Sequence, residues 1–503
     1  MKILVVTSVS AYDLAKEIVN NIKDHEVDIC KLDYPVASLM TTSYIAKELS
    51  NKISKEYDYV IIPGLAIGDA SIVRNVVKTE VIKGPKYLGD LPDVIKFIES
   101  GVKFSTKLPA DDIIRDYIAT KYGVESRRLL EVKEGIDLNG LRIPLRPPPI
   151  ILVYEVMMRE DSDYLKVLER ISRALGQGAD LIVIGLPVEH KVSVNTLKKL
   201  LNDIKSELHI PIGIDVQTPD VFNYLEAGPD LIMNVDMNNI NLLSNFKDKG
   251  VVIIPTATTP TGFIKSLKKS VEEAIKLGFS KVIIDPLLKP LQLGFVESLV
   301  NYYIASKEFN YPLMMGFSNI YELLDADTHS TIALLTSIAM EIGVSMVLIT
   351  EESRKSLNSL NEAVKAREMI YRAYIRKSPP IDVGIDLLIV KEKKSKSVKA
   401  PEINVETHVV PKESLSRIND EVYFKIYVDE LRKTIVVDVH TTRNGECVKR
   451  YIGNDAPSLW RIITKDYPTL SKDHYSYLGY ELCKAETALK LGRSYLQDYP
   501  LFS

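Results

Sequence analysis

Four polar residues, Asp215, Asn234, Asp285 and Asn319, each stand at or just beyond the end of a short apolar run. The runs are P-I-G-I-D (Pro211 to Asp215), L-I-M-N-V (Leu231 to Val235), K-V-I-I-D-P-L-L-K-P from Lys281, and P-L-M-M-G-F-S-N (Pro312 to Asn319). A carboxylate accepts two parallel N–H donors at once, and a carboxamide donates and accepts. Gathered in one cavity, such groups suit the edge of a flat heterocycle that carries an amino group beside a ring N–H. Burying that edge without partners would be costly, so the same groups would also discriminate between ligands. Each of the four could instead cap a helix or serve loop backbone. Glu155 ends another apolar run and is a candidate general base, or else a solvent-facing loop residue.

Other polar clusters carry thinner signals. D-A-D-T-H (Asp325 to His329) offers two carboxylates and an imidazole, either as a metal site or as a helix cap through Asp327 or Thr328. His190 follows an apolar run in L-P-V-E-H-K, whereas His440 and His474 have no ligand pattern beside them. Neither S-x-x-K nor G-x-S-x-G points to a serine hydrolase.

The elements that must position these residues alternate. Strand patterns fall at 150–156, 181–185, 212–215, 231–235, 251–255, 281–285, 313–316 and 345–350, with helix-length segments between them and a last helix over 355–376. Eight such units predict a (β/α)8 TIM barrel over residues 146–380, whose functional groups collect at the C-terminal ends of its strands. Ahead of it, residues 1–145 predict a Rossmann-like α/β domain with a helical extension over 86–145. Its glycines Gly64 and Gly68 follow a strand but match neither phosphate-binding fingerprint, which favours a plain turn. Pro147 to Pro149 mark the boundary. Residues 381–503 predict an α+β domain, with a strand at 386–391, a solvated basic loop, hairpin strands at 422–428 and 434–439, a helix over 473–496, and Trp460 in its core. The fold class is therefore α/β with three domains.

The totals set limits. A 503-residue chain with net charge −3 has no global basic field for nucleic acid. Three dispersed cysteines argue against a disulfide framework, and the reading is a reducing cytoplasm. No apolar run is long enough to cross a membrane, and the N-terminal one is too short for a signal peptide.

In order and spacing, G-Q-G-A-D-L-I-V-I-G, P-I-G-I-D-V, L-I-M-N-V, I-I-D-P-L and M-M-G-F-S-N resemble the pterin-binding barrels, namely dihydropteroate synthases and methyltetrahydrofolate methyltransferases. The whole chain is most similar to the archaeal dihydropteroate synthase-related proteins. The resemblance implies a reduced pterin as substrate or methyl donor, with Asp285 on its amino–imino edge and Asp215 and Asn234 on other ring atoms. Gly316, Ser318 and Asn319 would line the pocket, and Asn319 would polarise the methyl-bearing nitrogen in a methyltransferase. It implies either an arylamine acceptor, in archaeal methanopterin or folate metabolism, or a corrinoid or thiol acceptor for a methyl group. Mg would accompany a diphosphate substrate, and a homodimer through outer helices is a fold-level expectation. A non-catalytic pterin-binding scaffold is the third reading.

The departures bear on the reaction. This chain has Y-E-V-M-M-R-E-D where synthases carry an N-x-T-P-D-S-F-type loop, Val183 in place of an aspartate, Ser318–Asn319 in place of S-R-K, and L-I-T-E-E-S-R in place of a terminal Arg-x-His. Glu351 and Glu352 would repel a diphosphate if they faced the mouth. Thr258, Thr259, Lys265, Lys289 and Arg354 are the candidates that could compensate.

Overall fold

The computed structural model describes residues 1–503 apart from 54, 160, 188–191, 209, 217–223, 258–261, 394–419, 431, 503 and the side chain at 207. The chain divides into two compact units, Met1–Lys394 and Ser395–Ser503.

The first unit opens with a parallel sheet of β1 (Lys2–Thr7), β2 (Glu26–Lys31), β3 (Tyr59–Ile62) and β4 (Glu80–Lys83), in the order β2-β1-β3-β4. The fourth strand, T-E-V-I-K, is absent from the sequence reading. Gly64 lies so close to the Gly84 and Pro85 backbone that a Cβ would fall 2.4 Å from the Gly84 carbonyl oxygen, which accounts for it as a packing glycine.

The helical reading of 86–145 needs correction at its end. β5 (Ile136–Leu138) and β6 (Leu141–Ile143) form an antiparallel hairpin. Asn139 and Gly140 both have positive φ, 48° and 97°, the turn chemistry that Asn-Gly favours between two strands. Leu138 and Ile143 close the floor of the barrel by packing with Leu181, Leu231 and Met346.

The barrel consists of β7 (Ile151–Met157), β8 (Leu181–Leu186), β9 (Ile212–Val216), β10 (Leu231–Val235), β11 (Gly250–Ile253), β12 (Lys281–Ile284), β13 (Met314–Gly316) and β14 (Met346–Ile349). Neighbouring strands pair in parallel, and the ring closes through an Ile284–Leu313 bridge, with the Ile284 N–H donating to the Pro312 carbonyl at 2.9 Å. Strand side chains alternate between two cores. Val153, Val183, Met233 and Ile283 point inward, while Leu152, Ile182, Ile232 and Val282 pack against the helices. Both faces are dry, which is why these strands read as nearly continuous apolar runs.

Residues 386–391 are not a strand. Of this run only Leu387 packs, with Val383 and Ile385, along Met369 and Ile370 of the last barrel helix (Ser359–Arg376); Leu388, Ile389 and Val390 are exposed, and no segment among the described residues pairs with them. The second unit contains β15 (Val422–Asp429), β16 (Thr434–Thr441) and β17 (Cys447–Gly453), antiparallel in that order, with helices Ala456–Asp466 and Lys472–Leu491 on one face. Trp460 is 37% exposed and not core, because Ala456, Leu459 and Ile463 take the inward positions of its helix.

One buried node ties the ends of the first unit together. At the last turn of helix Ser359–Arg376, Arg376 donates to both Asp90, from Nε at 2.8 Å, and Asp111 at 3.3 Å. The Tyr122 hydroxyl donates to the other Asp90 oxygen at 2.8 Å, and the Tyr87 ring lies 4.6 Å from the guanidinium. Removing the cation would leave two buried carboxylates uncompensated, so Arg376→Met should cost about 3–5 kcal/mol. Urea unfolding followed by tyrosine fluorescence checks this, and an unchanged first transition would deny the node a structural role.

Candidate active site in the barrel mouth

In-phase continuation of the inward rows sets the mouth. After Val153 the next inward position on β7 is Glu155, after Gly213 on β9 it is Asp215, and after Ile283 it is Asp285, the residue just past the end of β12. Asn234 on β10 would face outward by alternation. It turns inward because the β10–β11 register shifts between Ile232 and Val235 and Asn234 adopts φ 56°. Asn239 holds this left-handed turn by donating to the Asn234 carbonyl at 2.9 Å. Asn234 Nδ2 then donates to Asp215 Oδ1.

Asp285 is 9% exposed. Both of its protein donors, the Tyr302 hydroxyl and the Leu287 N–H at 2.8 Å, reach Oδ1. Tyr302 is fully buried on helix Phe295–Glu308, behind the strand. Oδ2 has no protein hydrogen bond among the described residues. The same holds for Asp215 Oδ2, Asn234 Oδ1 and the Glu155 carboxyl. The mouth is therefore rich in acceptors and short of donors.

Electrostatics follow from that imbalance. Burial, with repulsion from Asp215 and Glu352, pushes the Glu155 carboxyl up to about 8. Burial raises Asp215 to about 6 against the opposing hydrogen bond from Asn234. Burial also raises Asp285 to about 6, although Tyr302 and the Leu287 N–H both favour its ionised form, so desolvation outweighs two hydrogen bonds here. Glu155 lies against Gly185, where a Cβ would come within 2.5 Å of Oε1, so glycine is the residue that leaves room for the acid.

The remaining sequence candidates fall around the rim or away from it. Asn319 and Ser318 begin a short helix after β13, where Asn319 Nδ2 donates to the Leu288 carbonyl at 3.0 Å and a Cβ on Gly316 would crowd that carboxamide. Lys289 pairs with Glu297 at 3.2 Å, Lys265 is exposed on helix Phe263–Leu277, and Arg354 is exposed on the turn after β14. Glu351 does not face the mouth; it turns outward to accept from the Tyr154 hydroxyl and the Leu360 N–H at the start of the last helix. Glu352 is paired with Arg170 at 3.0 Å. In D-A-D-T-H, Asp325 pairs with Lys355 and His329 with Glu362; Asp327 occupies the N-cap position of helix Thr328–Ile342 without a side-chain cap. Thr258, Thr259 and His190 lie outside the described residues.

Tyr302, Asn239 and Gly185 escaped the sequence reading. Gly185 alone left a signal, as a glycine in a position where strand alternation demands an inward side chain.

A family model described as PterinBD-DUF4346 matches residues 419–498. An uncharacterized protein of Methanocaldococcus jannaschii is 30% identical, across 100% of this chain and 99% of its own length. The 4-hydroxy-3-methylbut-2-en-1-yl diphosphate synthase (flavodoxin) of Caldanaerobacter subterraneus is 25% identical over 44% of this chain and 64% of the enzyme. Among solved structures, Yersinia pestis dihydropteroate synthase in a sulfonamide drug complex aligns with 48% of this chain and 99% of its own, at 16% identity and a TM-score of 0.39.

A carboxyl that holds its proton more tightly when folded stabilises the fold at low pH and loses that contribution as pH rises. For Glu155 the window runs from about 4.5 to about 8. Glu155→Gln should remove this slope, so its stability relative to the parent should improve steadily across that range. Denaturant midpoints on either side of the window check it; a difference that does not vary with pH would contradict the assignment.

Proposed function

We propose that this chain, which belongs to one family with the uncharacterized M. jannaschii protein and matches the PterinBD-DUF4346 model over residues 419–498, binds a reduced pterin in its barrel mouth and acts on it as a dihydropteroate synthase-like transferase. One observation carries the reading. Asp285 Oδ2, Asp215 Oδ2 and Asn234 Oδ1 are acceptors without protein donors among the described residues, gathered where an amino group and its neighbouring ring N–H would meet them. Tyr302 anchors Asp285 from behind, so that carboxylate would be oriented before a ligand arrives. Asp285 takes the amino–imino edge in this reading, Asp215 and Asn234 the remaining ring atoms, and Gly316, Ser318 and Asn319 the rim.

The first reaction is condensation, in which an arylamine nitrogen bonds to the pterin's methylene carbon, diphosphate leaves and the amine loses a proton. Thr258, Thr259, Lys289 and Arg354 would serve the anion, with Mg as its companion. A second reading has its own support. Glu155 holds its proton near neutral pH, and Lys289, in the loop that follows Asp285, already pairs with Glu297. An acidic mouth with a proton to give suits methyl transfer, where the ring nitrogen that loses its methyl group must gain a proton while a corrinoid or thiol accepts the methyl.

Purified protein offered a dihydropterin diphosphate with an arylamine, and separately a methyl-tetrahydropterin with cobalamin or a thiol, distinguishes the two. Turnover of neither, with pterin binding retained, would leave a binding protein. Calorimetry tests the shared premise. Asp285→Ala should weaken dihydropterin binding by about 1.5–3 kcal/mol, the range for hydrogen bonds to a charged group. Unchanged affinity would place the pterin elsewhere.

A further inference from the structure

We infer that Asp438, His440 and Cys447, in the second compact unit, form a binding site for a borderline-soft divalent cation of the zinc type. One carboxylate oxygen, one ring nitrogen and the thiol sulfur lie within 4.8 Å of one another. The sheet brings them together. His440 on β16 stands opposite Cys447 on β17, beside an irregularity in the register, and Asp438 precedes His440 by two residues on the same face. The two helices cover the other face, where Val437 and Val439 are buried against Leu459 and Leu482.

The imidazole supplies an independent observation. His440 Nδ1 lies 3.0 Å from the Gly445 carbonyl oxygen, which can only accept, so the ring proton sits on Nδ1 and the lone pair on Nε2. Nε2 is closed to solvent and has no hydrogen-bond partner. The ring is fixed further by stacking on Tyr423, with centroids 5.1 Å apart and planes 17° apart. Holding the outer N–H on a backbone carbonyl is how proteins orient a ligating histidine, and a cation would satisfy the orphaned lone pair.

The other two groups are compatible with that role. Arg450 holds both Asp438 oxygens, at 2.5 and 2.7 Å, and each oxygen keeps a second lone pair. Cys447 is exposed, and its sulfur makes one long contact, 3.8 Å to the Lys449 carbonyl. Sulfur, imidazole and carboxylate together suit Zn2+ better than Mg2+ or Ca2+, and three protein ligands leave a fourth position for water. Nothing in the linear spacing of D-V-H and a cysteine seven residues on announces this group; antiparallel pairing assembles it.

Cobalt titration of the full chain, stripped with a chelator and kept reduced, tests the site. One equivalent of Co2+ should bind and give a thiolate-to-cobalt charge-transfer band, which Zn2+ should then abolish by displacement. C447S should lose the band, and H440A should weaken Co2+ binding at least about tenfold, while C30S and C483S should keep both. Cys447 is exposed, so C447S stays informative even if H440A fails to fold by circular dichroism. Absence of the band, its survival in C447S, or its loss in C30S or C483S would overturn the site.

Discussion

Closing eight parallel strands into a ring leaves every second side chain with nowhere to go but inward. That constraint governs the first unit. Below the mouth, Val, Ile, Leu and Met side chains, which crowd in over Gly213, fill the ring down to a floor sealed by the β5–β6 hairpin. At the mouth the same rows continue as Glu155, Asp215 and Asp285. The apolar plug beneath keeps water from solvating these carboxyls from below. Their raised proton affinities are thus a consequence of the packing that makes the barrel stable.

The arrangement stores an unmet demand. Acceptors face one another with a single carboxamide among them, and Asn234 reaches its place through a bulge and a left-handed backbone that alternation would not supply. A ligand edge made of N–H donors would relieve the repulsion and gain charge-assisted hydrogen bonds. A diphosphate brought to the same mouth would add negative charge beside Asp215 and Asp285, so its binding would require cations from outside this ring.

Much of this was legible in the sequence, and the reason is periodicity. Eight apolar runs with a carboxylate or carboxamide at the end of several of them specify both barrel and pocket, since strand phase dictates which residues face in. What escaped depends on contacts between segments remote in the chain. Tyr302 reaches Asp285 across a loop and half a helix, and the Asp90–Arg376 pair spans 286 residues. Local signals could also mislead. The apolar run at 386–391 reads as a strand yet has no pairing partner among the described residues, and Trp460 reads as core while lying on the open side of its helix. The Asn139–Gly140 turn carried a strong hairpin signal that the helical reading of its surroundings hid.

Under the proposed function, a ring of proton-hungry carboxyls receives the donor edge of a pterin. Calorimetry of a reduced pterin in buffers of differing ionisation enthalpy, at about pH 6 where Asp215 and Asp285 are near half ionised, tests it most directly. Binding should expel protons, because donors on the ligand require both carboxylates to be charged, and Asp285→Asn should lower the number expelled. Binding heats that do not change with buffer, or proton uptake in place of release, would contradict it.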